Sequence, residues 1–281
     1  MIRLNLFQLM GLSLLLMCLP LTGISAQDSI DAPQQPLDSV ATAMEQKSLS
    51  VVEAAAEAYR AGDFRKSIQQ YEMLVKEALA QNSESATLYY NLGNAYFRDN
   101  QLAKAILNYE RAYLLEPGNG DIRHNLRFAR NKTEDRIEHV GIFFLQDWFK
   151  SVRDLYSSNR WAVISIIFYL LFLTCIALFL FLRLLWARKT AFYSGILFLL
   201  LIIVTTSFSF SQKKERAKRN DAIVMVGAAA VNASPDLNSN RLFELHEGTK
   251  VNIRNSDGNW FEVEIANGSV GWTEKKNVEV I

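Results

Sequence analysis

Three patterns of hydrophobic and polar positions follow one another along the chain. From residue 47 to 138, apolar residues recur at helical spacing, which predicts a set of amphipathic helices. Two stretches without any charge follow, over 161–182 and 191–210. Beyond residue 220, apolar and polar residues alternate, as they do in half-buried β-strands. The pattern therefore predicts a helical domain, a pair of membrane spans and a small all-β domain, in that order.

The two charge-free stretches are long enough to cross a bilayer. They contain 22 and 20 residues, and at about 1.5 Å per residue each one spans a hydrocarbon core of roughly 30 Å. Buried core helices are the alternative, which these lengths disfavour. Only eight residues separate the two stretches. We therefore expect a transmembrane hairpin that leaves both soluble flanks on one side of the membrane.

The N-terminal segment predicts which side this is. Residues 1–26 combine Arg3, an apolar run and the small residue Ala26 at the expected cleavage point, which is typical of a secretory signal peptide. Residues 27–46, rich in Asp, Gln, Ser and Pro, predict a disordered tail. Export would place the protein in the inner (cytoplasmic) membrane with its soluble domains in the periplasm.

The distribution of basic residues favours the opposite orientation. Eight basic residues flank the hairpin on the side of the soluble domains, whereas its turn carries three. The positive-inside rule would place the larger group in the cytoplasm. The signal peptide is the stronger argument, because the first apolar segment usually dominates orientation.

Residues 86–119 resemble one tetratricopeptide (TPR) repeat, a hairpin of two helices that needs neighbours to bury its apolar faces. A generic helical hairpin is the alternative. The matching consensus positions are Leu92, Gly93, Tyr96, Ala105, Tyr109, Ala112 and Pro117. Residues 58–74 align with 96–112 at a constant offset of 38 and form a second unit. Leu126, 34 residues after Leu92, marks a capping helix. Residues 47–138 are thus predicted to be an all-α TPR solenoid of two repeats and a cap.

The resemblance also predicts a binding surface on the concave face of the array. In a TPR array this face lies mainly on the first helix of each unit. Aromatic, Asn and Arg side chains on that face suit an extended peptide segment. Packing between helices is the open alternative for several of them. The nominated groove residues are Tyr59, Arg60, Tyr90, Asn94, Phe97, Arg98, His124, Asn125 and Phe128.

Residues 140–158 are predicted to form an amphipathic helix before the first span, with Trp148 and Phe149 on its apolar face. Such a helix can lie in the lipid headgroup layer. The alternative is that it packs on the end of the TPR cap.

Residues 220–281 resemble bacterial SH3-like domains. Five or six short strands, the stretch Leu245–Val251 and the Asn-Gly-X-X-Gly-Trp motif at 267–272 carry the resemblance. The loop at 231–235 departs from the signature common in these domains. Trp260 and Trp272 are candidates for a ligand groove, with core packing as the alternative for each.

The sequence contains no recognisable catalytic or metal-binding pattern. The three histidines stand alone, no Gly-rich phosphate loop is present, and the acidic residues in the helices are expected to lie on solvated faces. Of the two cysteines, Cys18 leaves with the signal peptide and Cys175 lies in a span. We therefore expect a non-enzymatic protein without metal or cofactor. The basic residues over 213–219 are expected to contact lipid phosphate and not nucleic acid.

The order of the modules resembles BatE-type proteins of bacterial aerotolerance operons. That resemblance implies companions, namely von Willebrand A-domain membrane proteins, a further TPR protein and a MoxR-type ATPase, in a complex that supports stress or oxygen tolerance. The predicted function is a membrane-anchored scaffold that binds protein partners through the TPR groove. The alternatives are a cell-envelope sensor or peptidoglycan-binding protein acting through the SH3-like domain, and an accessory subunit of a hydrolase.

Overall fold

The computed structural model describes residues 50–135 and 144–281. The predicted signal peptide and tail, and the first residues of the predicted amphipathic helix, lie outside the described residues. The helical part begins with α1, which is described over residues 50–60. It continues with α2 (Phe64–Ala80), α3 (Ala86–Arg98), α4 (Leu102–Leu115) and α5 (Gly120–Arg130).

The turns inside the helical hairpins use equivalent positions. Gly62 between α1 and α2 has φ +80°, and Asn100 between α3 and α4 has φ +60°. Both are left-handed conformations, which Gly adopts freely and Asn adopts more readily than most residues. These are the two positions that the 38-residue offset aligns, so the alignment places the chain reversals correctly.

The core of the repeats is packed through small residues at the helix crossings. Leu92, Tyr96 and Leu126 are buried together, and Ala105 is fully buried. At Gly93, a Cβ atom would lie 2.8 Å from the ring of Tyr109. The two helices of this hairpin can therefore approach this closely only because position 93 has no side chain.

Three helices lie between the repeats and the C-terminal strands. They are α6 (Phe144–Arg153), α7 (Ser158–Phe181) and α8 (Leu185–Lys218). The last two, of 24 and 34 residues, are long and apolar enough to cross a membrane. Helix α8 extends eight residues beyond the predicted end at 210, because the polar residues that follow include the good helix formers Gln, Lys, Glu and Ala.

Helices α7 and α8 form an antiparallel hairpin. Ser165 and Thr206 share a hydrogen bond of 2.8 Å between their hydroxyl groups. Further along, a Cβ atom at Gly195 would lie 3.6 Å from the Cβ of Cys175. Small and hydroxyl-bearing residues at the contact allow the close approach that is common in membrane helix pairs.

The C-terminal part, residues 221–281, is a single antiparallel sheet that we call the β-domain. Its seven strands exceed the expected five or six, and they are ordered β3-β2-β6-β5-β4-β1-β7. A short 3₁₀ helix, Lys275–Asn277, precedes the last strand. The strands are β1 (Asp221–Val224), β2 (Ala228–Asn232), β3 (Arg241–His246), β4 (Lys250–Asp257), β5 (Trp260–Glu264), β6 (Val270–Glu274) and β7 (Val278–Val280).

Two glycines fix the hairpin between β5 and β6 and its contact with β2. Gly268 has φ +85°, as the tight turn requires. At Gly271, a Cβ atom would lie 2.5 Å from Cγ1 of Val231 and 3.0 Å from the carbonyl oxygen of Asn232. Only glycine allows these strands to approach so closely. The Asn-Gly-X-X-Gly-Trp motif is therefore explained by a turn and a strand contact.

Candidate protein-binding site

The first helices of the repeats present an aromatic ridge, which we define as Tyr59 on α1, Phe97 on α3 and Phe128 on α5. The ring centroids of Phe97 and Phe128 are 5.7 Å apart. The guanidinium of Arg98 lies 5.9 Å from the ring centroid of Tyr59. Phe128 is 50% exposed, and Tyr59 and Phe97 are partly buried. The structure thus brings together four of the predicted groove residues into one partly exposed surface of three aromatic rings and a guanidinium group.

Beside the ridge lies a hydrogen-bonded polar cluster. Oδ1 of Asn94 accepts hydrogen bonds from Tyr109 Oη at 2.7 Å and from Asn125 Nδ2 at 2.9 Å. Asn125 Nδ2 also donates to Tyr90 Oη at 3.0 Å. The cluster joins α3, α4 and α5 and fixes the orientation of the two Asn side chains. Burial raises the pKa of Tyr109, which therefore stays a neutral donor.

The other nominated residues, Arg60 and His124, are exposed and have no hydrogen bond or ion pair with a described residue. The sequence reasoning missed two members of the surface. Lys132 Nζ lies 5.2 Å from the ring centroid of Phe128, and the Arg98 guanidinium lies 4.7 Å from that of Phe64. The i,i+4 spacing from Phe128 to Lys132 was the available signal for the first.

The β-domain packs on the second helix of the complete repeat, away from this ridge. The carboxylate of Glu110 on α4, 1% exposed, accepts hydrogen bonds from Arg130 and, at 3.3 Å, from Lys250 of β4. Lys250 also contacts Asp221 at 2.7 Å. Interpreting the helix acids as solvated was therefore wrong for Glu110.

The electrostatics of this interface follow from the pairing. Burial alone raises the pKa of the Glu110 carboxyl, but the charges of Lys250 and Arg130 more than offset it and lower that pKa. For Lys250, burial alone lowers the pKa, and the carboxylates of Glu110 and Asp221 raise it overall. The pairing thus favours the charged forms of both Glu110 and Lys250.

A second contact lies at the chain segment after α5. One carboxylate, that of Asp135, accepts from the backbone N–H of His246 at 2.8 Å and from Thr249 Oγ1 at 2.7 Å. Its other oxygen lies 2.7 Å from Nδ1 of His246. Burial alone raises the pKa of the Asp135 carboxyl, but these hydrogen bonds more than offset that effect and lower the pKa overall. The hydrogen bond that His246 donates to Asp135 raises the pKa of His246.

The repeats are also fixed to the membrane helices, through a contact that we call the membrane joint: Tyr113, Asp154 and Arg216. Arg216 on α8 donates to the carbonyl oxygens of Leu114 and Leu115 at 2.6 Å each. Tyr113 Oη donates to Asp154 at 3.1 Å. The expectation that the basic residues over 213–219 contact lipid therefore fails for Arg216.

Helix α6 contacts both the repeats and the membrane helices. The rings of Phe149 and Phe208 meet edge to face at 4.8 Å, and Gln212 Nε2 donates to the carbonyl oxygen of Arg153 at 2.9 Å. Trp148 remains 62% exposed. The helix therefore packs against α8 while its Trp remains exposed, and its position in the headgroup layer stays a prediction.

On the β-domain, the two tryptophans have different surroundings. Trp260 lines a shallow cavity of about 200 Å³ together with Leu237, Arg241 and Glu274. Trp272 is partly buried in β6, opposite Glu262 of β5, and is not among the residues that line this cavity. The register places both tryptophans on one face of β5 and β6, but only Trp260 lines this cavity, so their shared groove stays a prediction.

Comparison with known families agrees with this architecture. Residues 86–119 match the model of the tetratricopeptide repeat, and residues 227–279 match that of the bacterial SH3 domain. No curated protein matches the chain. The predicted fold class is confirmed: a helical TPR region, two candidate transmembrane helices and a C-terminal antiparallel β-domain consistent with an SH3-like domain. The chain is thus similar to protein-binding and peptidoglycan-binding modules, joined here to a membrane-associated hairpin. The identity with BatE-type proteins stays a prediction, as does the signal peptide.

Proposed function

We propose that this protein is a non-enzymatic scaffold in the cytoplasmic membrane that binds a segment of a partner protein along its TPR groove. The observation that carries the proposal is the accessible aromatic ridge. It lies on the first helices, whereas the β-domain and the membrane joint engage α4 and the segment after α5. Exposed aromatic surface beside ordered polar groups is typical of sites that bind protein partners.

The charges beside the ridge indicate the chemistry of the partner. Arg98 and Lys132 lie against ridge rings, and no described carboxylate pairs with either side chain. An extended segment that combines aromatic or aliphatic side chains with Asp or Glu would satisfy both the rings and the cations. The ordered amides of Asn94 and Asn125 are positioned beside the path of its backbone.

The setting of the groove supports a partner in the cell envelope. The hairpin and the membrane joint hold the repeats beside the bilayer, and the signal peptide pattern favours the periplasmic side. The resemblance to BatE-type proteins favours von Willebrand A-domain membrane proteins and other TPR proteins of the same operon type. On this proposal the complex supports aerotolerance or a related stress response.

Photocrosslinking of the full chain in native membranes tests the proposal. A photoreactive residue at Phe128 is expected to yield a discrete crosslinked protein that mass spectrometry identifies as a membrane or periplasmic protein. Met73, 58% exposed on α2, is the matched control site and should give no such product. Equal products from both sites, or none from Phe128, would remove the groove from the proposal.

A second candidate function rests on the cavity beside Trp260. An indole face next to Arg241 and Glu274 is suited to stacking on a sugar ring with polar groups at its edge. Retention of the full chain on purified peptidoglycan, lost on Trp260→Ala and kept on Trp148→Ala, would favour this function. If the full chain is not retained, the peptidoglycan-binding function is rejected and the scaffold proposal is unaffected.

A further inference from the structure

A cavity of about 1250 Å³ lies where the repeats, α6, the end of α8 and the β-domain meet. Seven basic residues line it, and three of them have neither an ion pair nor a side-chain hydrogen bond among the described residues: Arg123 and Arg127 on α5, and Lys150 on α6. All three are exposed, and none has a carboxylate within 4.0 Å among the described residues. Their positive charge is therefore available to a ligand.

The other basic residues of the lining are already engaged. Arg130 and Lys250 share Glu110, Arg153 pairs with Asp154 at 2.8 Å, and Arg216 binds main-chain carbonyls. These contacts hold the cavity walls in place. The three available cations thus lie on a fixed framework, so a ligand would not have to order the walls when it binds.

The depth of the cavity relative to the bilayer follows from the helix geometry. The rings of Trp161 and Phe208, both buried, are 5.0 Å apart near the end of the apolar part of the hairpin. Gln212 and Arg216 line the cavity four and eight residues after Phe208. At 1.5 Å per residue, they lie roughly 6 and 12 Å further out. The headgroup layer on each side of a bilayer is roughly 5–8 Å thick, so the cavity begins at headgroup depth.

Helix α6 supports this placement. Trp148 and Phe149 are 62% and 43% exposed, and Lys150 follows them directly. Aromatic rings of this kind are enriched at the boundary between hydrocarbon and water. The same turn of α6 therefore presents both an interfacial aromatic surface and a cation that faces the cavity.

We propose that this cavity binds the phosphate-bearing headgroup of an anionic phospholipid, with Arg123, Arg127 and Lys150 as the phosphate-binding groups. The two guanidinium groups, one helical turn apart on α5, are suited to the phosphate oxygens, and the ammonium of Lys150 adds a third charge from α6. The bound lipid would hold the repeats and α6 against the membrane surface. The proposal does not depend on what the groove binds.

Lipid binding to the full chain in a nonionic detergent tests this assignment. Native mass spectrometry would compare phosphatidylglycerol with phosphatidylcholine of the same acyl chains. We expect phosphatidylglycerol to bind about tenfold more tightly, and the triple variant Arg123→Gln/Arg127→Gln/Lys150→Gln to lose that preference. The matched control, Lys213→Gln/Lys214→Gln/Lys218→Gln, removes the same charge from α8 outside the cavity and should keep it.

Several outcomes would overturn the proposal. Equal losses in the two triple variants would show diffuse attraction to the membrane charge and no site. Equal binding of the two lipids by the wild-type chain would show that it does not select an anionic headgroup and would reject the site. Inorganic phosphate that binds saturably and displaces the lipid would reassign the site to a free anion. If the triple variant does not fold, the single variants Arg123→Gln and Arg127→Gln are each expected to bind phosphatidylglycerol severalfold more weakly. Unchanged affinity in both would reject the site.

Discussion

Nε of Arg216 donates a hydrogen bond to the main-chain carbonyl oxygen of Leu114 at 2.6 Å. Leu114 lies in the last turn of α4, where carbonyl groups have no partner inside the helix. A cation at this position also interacts favourably with the helix dipole. The second candidate membrane helix therefore caps the last helix of the TPR repeat, which gives the short solenoid additional support.

Replacement of this cap should loosen the end of α4. We expect Arg216→Gln to cost about 1.5–3 kcal/mol of stability, because the carbonyls of Leu114 and Leu115 lose a charged donor. Hydrogen exchange of the full chain in detergent should show faster exchange over residues 112–118. Lys213→Gln, on the same helix and without a described partner, is the control and should leave exchange there unchanged. Equal protection in both variants would contradict the capping role.

The buried acid between the repeats and the β-domain gives a second prediction. Glu110→Gln keeps the shape of the side chain but removes the charge that Lys250 and Arg130 share. We expect a loss of about 1–3 kcal/mol in the free energy of unfolding at pH 7, measured by urea unfolding in detergent. Glu264→Gln, which breaks the more exposed pair with Arg254 at 2.7 Å, should cost less than about 1 kcal/mol.

The effect of Glu110 also depends on pH in a defined direction. Its pKa is lowered in the folded protein from an ordinary value of 4.5. A lowered folded pKa means that the stabilisation is complete above the unfolded pKa and is lost as the pH falls through the folded pKa. The difference between wild type and Glu110→Gln should therefore be constant from pH 7 to about pH 5 and shrink below that. A difference that grows on acidification would contradict the pairing.

The histidine contact predicts a shift in the opposite sense. The hydrogen bond that His246 donates to Asp135 raises the pKa of His246 above 6.5. This contact therefore stabilises the docked β-domain below that pH and weakens as the pH rises through the folded pKa. In a histidine-selective NMR titration of the full chain, Asp135→Asn should return the pKa of His246 towards 6.5. Glu134→Gln, at 3.9 Å from Nε2, should change it much less. An unshifted pKa in the wild type would reject this contact.

The elements that the sequence predicted well are those that local periodicity determines. Gly62 and Asn100 were aligned by the repeat offset because each reverses the chain inside a hairpin, and both are left-handed in the structure. Leu92 and Leu126, one repeat apart, are both buried. Such positions are set by neighbours within the same unit, so a single sequence is sufficient to find them.

The docking of the modules could not be predicted in the same way. Glu110 and Lys250 are 140 residues apart, and a charged residue on a helix is usually solvated, so no local signal marked Glu110 as buried.

The end of α8 was missed for a related reason. Loss of apolarity after residue 210 marks the end of a membrane span, whereas the helix continues until Arg219, which has φ +38°. Within the groove, the ridge followed from the repeat pattern, but Phe64 and Lys132 lie outside the positions that the pattern specifies.

Replacing two glycines of the repeat region by alanine is expected to change the stability of the protein in opposite directions. A Cβ at Gly93 would lie 2.8 Å from the buried ring of Tyr109 and 3.3 Å from the carbonyl oxygen of Ala105. Since neither can move freely, Gly93→Ala should lower stability by about 1–3 kcal/mol. At Gly120, the first residue of α5, a Cβ would meet nothing within 4 Å. Gly120→Ala should therefore raise stability by about 0.4–1 kcal/mol, because alanine loses less conformational entropy in a helix. Thermal unfolding of the full chain would measure both, and a destabilised Gly120→Ala together with an unchanged Gly93→Ala would contradict the close crossing of α3 and α4.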